Sequence, residues 1–134
     1  MTIHILSAGK LKDIQADFSA HFPFLKLEFY GKSHQSGEGT SNSTLLHLNY
    51  SLKELNAEAV DVEWKIDPSM TVTELETSFH EKTGISAQVF RKSGMAWLQT
   101  ITTDNWSLAQ QNERGKEMSE ELPGEEPQDY HEQE

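Results

Sequence analysis

Apolar residues fall along this chain in two rhythms, and the two rhythms alternate. Leu11, Ile14 and Phe18 recur at i, i+3 and i+7, the spacing of one buried helix face. Val72, Leu75 and Phe79 repeat that spacing, and Thr71 with Glu74 reads as a capping box that starts the helix at Thr71. Ahead of each helix lies a run with period two. Val60, Val62, Trp64 and Ile66 alternate with Asp61, Glu63 and Lys65, which predicts a half-buried strand. Met1, Ile3 and Ile5 are the shorter counterpart. Behind each helix comes a break, Phe22-Pro23 or Thr83-Gly84, and then a second alternating run. Leu25, Leu27 and Phe29 face one way in the first case, and Ile85, Ala87 and Val89 in the second.

A third strand follows in both halves. Lys92-Ser93-Gly94 reads as a tight hairpin into Met95–Thr102. In the first half the connection is the long loop Gly31 to Asn42, leading to a strand near Ser43–Leu48. The closest match closes each half. Asn49-Tyr50-Ser51-Leu52-Lys53-Glu54-Leu55-Asn56 aligns without gaps to Asn105-Trp106-Ser107-Leu108-Ala109-Gln110-Gln111-Asn112. Each segment holds an N-terminal helix cap, Ser51…Glu54 and Ser107…Gln110. Tyr50 and Leu55 stand where a hydrophobic staple would form, whereas Gln111 replaces the leucine in the second half.

These matches predict an α+β protein made from two copies of a strand-helix-strand-strand-short-helix unit, residues 1–58 and 59–114, packed as one domain. A helix between two strands favours a right-handed crossover between parallel neighbours. The expected architecture is therefore a two-layer sandwich, a mixed sheet of about six strands with the two long helices on one face.

Composition changes the picture at the C-terminus. From Glu113 to Glu134 nine acidic residues meet two basic ones, a net −7 out of the chain's −11. Few apolar residues accompany them, so residues 115–134 are expected to be a disordered acidic tail. With no basic patch on that background, neither nucleic acid nor an anionic membrane surface is expected as a partner. The chain has no cysteine, and its N-terminus lacks the pattern of a signal peptide, so the cytoplasm is the expected location.

Candidate chemistry is sparse. The six histidines form no metal-ligand pattern, and the glycines of the loop Gly31 to Asn42 do not fit a phosphate-binding motif. No nucleophile elbow or Ser-His-Asp order is evident. Asp61/Glu63 and Glu74/Glu76 read as solvated surface. No catalytic, metal or cofactor site is therefore assigned.

The more informative feature is apolar. If Leu25, Leu27 and Phe29 face the helices, Tyr30 points to the other side of the sheet, as does Phe90 in the second half, with Trp97 on the partner strand. An open sheet face should be polar, so Tyr30, Phe90 and Trp97, rimmed by Arg91 and Lys92, mark a candidate surface for a protein partner or a second protomer. The expected function is a non-enzymatic acidic binding or adaptor protein. The alternatives are an acidic chaperone or nucleic-acid mimic for basic clients, and an enzyme with a site between the two units.

Overall fold

The computed structural model describes residues 1–32 and 43–120. Most of the long first loop and the chain beyond Glu120, both expected to be flexible, lie outside the described residues. The elements run β1 (Thr2–Ile5), α1 (Leu11–His21), β2 (Leu25–Lys32), β3 (Ser43–Leu45), α2 (Leu52–Leu55), β4 (Val62–Lys65), α3 (Val72–Thr83), β5 (Ser86–Ser93), β6 (Ala96–Gln99) and α4 (Leu108–Glu120). The class is α+β, as the alternating rhythms imply.

The sheet differs from expectation. The described strands divide between a two-stranded ribbon, β1-β4, and a four-stranded sheet in the order β3-β2-β5-β6. Every pairing is antiparallel, so there is neither a single sheet of six strands nor a mixed one. The reason is that α1 and α3 each carry the chain from one sheet to the other. Each then packs between its own flanking strands, α1 against β1 and β2 and α3 against β4 and β5. The first two strands of each half pair with those of the other half, β1 with β4 and β2 with β5, while β3 and β6 pair within their own halves. Ile3 lies opposite Trp64, and Glu28 opposite Gln88.

The core is continuous across both halves. Ile3, Ile5, Trp64 and Ile66 line it from the ribbon, and Leu25, Leu27, Phe29 and Val89 from the larger sheet. The Phe79 ring sits 5.5 Å from Phe29 and 4.9 Å from Trp64, so one residue of α3 ties the sheets together. The indole N–H of Trp64 donates to Ser78 Oγ at 2.9 Å, which satisfies its buried polar atom. Val60, placed by alternation on the buried side of the strand, is exposed and precedes β4.

Local signals hold where they are strongest. Thr71 caps α3 through Glu74, and Gly84 ends it in the left-handed conformation at φ 77°. Both serine caps form, with Ser51 N–H to Glu54 at 2.7 Å and Ser107 N–H to Gln110 at 2.9 Å. The helix behind Ser107 is longer than expected. It runs to Glu120, so residues 115–120 belong to α4 and not to a tail, and Gly115 is buried.

The starts of the helices are tied together in the same way in each half. Leu11 N–H donates to the Tyr50 carbonyl at 2.9 Å, and Val72 N–H to that of Trp106 at 3.1 Å. Lys12 N–H reaches Leu48 and Thr73 N–H reaches Asp104, while Lys53 N–H reaches Ser7 and Ala109 N–H reaches Pro68. Bridges join Lys10 to Ser51 and Thr71 to Ser107.

Candidate contact surface

Alternation along β2 and β5 divides the larger sheet into two faces. Leu25, Leu27, Phe29, Ala87, Val89 and Arg91 are buried on the inner face. The helices reach this side. Gln15 of α1 donates to the Leu27 carbonyl at 2.7 Å, and Gln111 of α4 accepts from Arg91 at 2.7 Å. The outer face carries Lys26, Glu28 and Tyr30 on β2, Phe90 and Lys92 on β5, and Trp97 on β6. Cross-strand register fixes their neighbours: Lys26 lies opposite Phe90, and Lys92 opposite Trp97.

Tyr30, Phe90 and Trp97 therefore share one face, with Tyr30 and Phe90 half-buried and Trp97 36% exposed. Lys26 packs against two of the three rings. Its ammonium lies 4.9 Å from the Trp97 ring centre and 5.7 Å from that of Phe90, within the range of a cation–π contact. It also meets Glu28 at 3.3 Å. Burial, followed by the nearby Glu28 charge, raises the pKa of the Tyr30 phenol, so this group remains a neutral hydrogen-bonding hydroxyl. Leu45, opposite Tyr30 on β3, extends the apolar stretch and is exposed.

Arg91 is elsewhere. It was expected on the polar rim, but its position on β5 turns it inward, and it is 0% exposed. There the guanidinium donates to Gln111 Oε1 and stacks 5.6 Å from the Trp106 ring. Gln111 in turn donates to the Thr103 carbonyl at 2.7 Å and to its hydroxyl at 2.9 Å. The residue aligned with Arg91 in the first half is Gly31, where an added side chain would meet Leu46 at 3.2 Å. A leucine fills that space in the first half, and an Arg–Gln pair under α4 fills it in the second.

Two residues with chemical character escaped the pattern reading. One is Lys26, whose role depends on cross-strand neighbours. The other is Glu76, read as solvated surface but half-buried. The chain leaves the ladder after Gln99, and Glu76 Oε2 accepts the Val89 N–H at 3.1 Å where a longer strand would have paired. Burial raises its pKa to about 7 against the effect of that hydrogen bond, and the Asp104 charge adds to the rise. The signal was present, since Glu76 follows Leu75 on the flank of the buried stripe. Gln15 occupies the aligned place on α1, and it too hydrogen-bonds a strand backbone.

Among the described residues no group of three His, Asp or Glu side chains is placed to hold a metal. No helix among them is long and apolar enough to cross a membrane. Compared with protein-family models, curated proteins and solved structures, the chain gives no significant match.

Proposed function

We propose that this chain is a non-enzymatic binding protein whose contact surface is the outer face of β2, β5 and β6. One observation carries the reading: Tyr30, Phe90 and Trp97 share the face opposite to the one that α1 and α4 meet, with Lys26 set against Phe90 and Trp97. Aromatic rings at the centre of a surface, with charged groups already paired beside them, are suited to burial against another protein. The partner class is a protein presenting a flat, mainly apolar surface with an acceptor for Tyr30. Lys92 supplies the polar rim that Arg91 does not.

The two halves, residues 1–58 and 59–114, are read as copies of one unit. The paired helix-start hydrogen bonds and the two serine caps support this, because shared secondary structure alone does not require the same long-range bonds. The second copy is the more specialised, carrying Phe90, Trp97 and the Arg91–Gln111 pair.

The test compares proteins retained from native cells by the wild-type chain, by Trp97→Ser with Tyr30→Ser, and by Glu81→Lys on the exposed side of α3. The reading expects at least one protein retained by the wild type and Glu81→Lys, and reduced tenfold or more (about 1.4 kcal/mol) by the double variant. Equal retention by all three, with unchanged melting temperatures, contradicts it.

A further inference from the structure

β6 is an edge of the four-stranded sheet. Its residues Ala96-Trp97-Leu98-Gln99 include no charge and no proline, two devices that keep an edge from pairing. The phase of its ladder follows from the Thr100 N–H, which donates to the Val89 carbonyl at 3.3 Å. The hydrogen-bonded pairs are then Arg91/Leu98 and Ser93/Ala96, so Trp97 and Gln99 turn their backbone N–H and C=O away from β5. No hydrogen bond between described residues takes up these outward groups. Just beyond the two ends of the strand stand Met95 and Ile101, 60% and 57% exposed.

We propose that β6 pairs antiparallel with β6 of a second copy, about a twofold axis at Leu98, joining the two sheets edge to edge. The register follows from the residues. With Leu98 opposite Leu98 of the second copy, Trp97 faces Gln99, and the outward N–H and C=O groups of both residues are satisfied in each chain. The same register sets Met95 of one copy against Ile101 of the other, so the two exposed apolar residues cover each other. A shift of two residues either way breaks that match. The occupant follows from charge. Gly94 to Thr103 is uncharged in a chain of net −11, so two copies can meet here without opposing like charges, and a charged strand would find no counter-charge. The pairing uses the backbone edge of β6; Trp97 belongs both to this strand and to the outer face, but the pairing does not require that face to bind a partner.

The chain has no cysteine of its own, which allows a direct test. Met95→Cys and Ile101→Cys chains are prepared separately, then oxidised alone and as an equal mixture. The mixture is expected to give disulfide-linked pairs of one chain of each kind, and each variant alone is expected to give almost none. Sedimentation of the wild type is expected to show twice the 15.2 kDa chain mass at high concentration. Gln99→Pro removes an outward N–H together with the side-chain hydrogen bond to Tyr30 and is expected to restore the single mass with its circular dichroism unchanged. Gln99→Ala loses that side chain, keeps the N–H and is expected to stay paired. A wild-type mass of one chain at every concentration overturns the proposal. So does cross-linking of either variant alone as readily as the mixture, or a folded Gln99→Pro that remains paired.

Discussion

Arg91 and Glu76 are the residues whose surroundings say most about their chemistry. A guanidinium at 0% exposure depends on the groups that face it, and Gln111 supplies one at 2.7 Å. Gln111→Leu keeps the volume and removes that acceptor, so it is expected to lower stability by about 2 kcal/mol, read from thermal or urea melts. Glu76 gives a dependence on pH. Its pKa rises from the model-compound 4.5 to about 7 on folding, so between those values the folded chain holds a proton that the unfolded chain releases. Raising the pH through this window therefore favours unfolding, and the stabilisation present below 4.5 is lost as pH passes through about 7. Glu76→Gln retains an oxygen for the Val89 N–H and cannot ionise. Melting curves from pH 4 to 8 are expected to show the variant gaining on the wild type as pH rises, with the gain levelling off above the window. A constant difference across that range would contradict the assignment.

At the scale of elements, caps and breaks were legible and lengths were not. Thr71…Glu74, Ser51…Glu54 and Ser107…Gln110 all cap as their spacing implies, because a capping box is satisfied within four residues. The extent of α4 depends on a neighbour distant in the chain. Gly115 packs where a Cβ would stand 2.8 Å from Phe24 Cβ and 3.2 Å from Arg91 Cγ, so the helix continues because its glycine fits against β2 and β5. Composition alone marked this glycine as part of a polar tail. Gly115→Ala tests the account, since helix propensity favours alanine by about 1 kcal/mol while the close approach opposes it. The contact involves Cβ and backbone atoms that cannot swing away, so the variant is expected to melt lower and to lose protection from hydrogen exchange along α4. The Tyr50 ring, expected to staple against Leu55, is 40% exposed and stands 6.2 Å from the His47 ring.

For the whole molecule, the pattern of buried faces was readable and the pairing of strands was not. A period of two states which side of β2 is inside, and Leu25, Leu27 and Phe29 are buried as it implies. Nothing in that period says whether β1 lies beside β2 or beside β4, a choice made by packing over sixty or so residues. The candidate surface divides along the same line. Tyr30, Phe90 and Trp97 follow from alternation and do share a face, whereas Arg91, one residue on from Phe90, falls inside by the same rule. The three tryptophans of the chain report on three places: Trp64 in the core, Trp106 over Arg91, and Trp97 on the outer face. The most direct measurement is the indole N–H spectrum of nitrogen-labelled protein titrated with the partner retained from cells. The account predicts that the Trp97 signal shifts or broadens while that of Trp64 stays in place. Saturable binding that leaves Trp97 unchanged would contradict it.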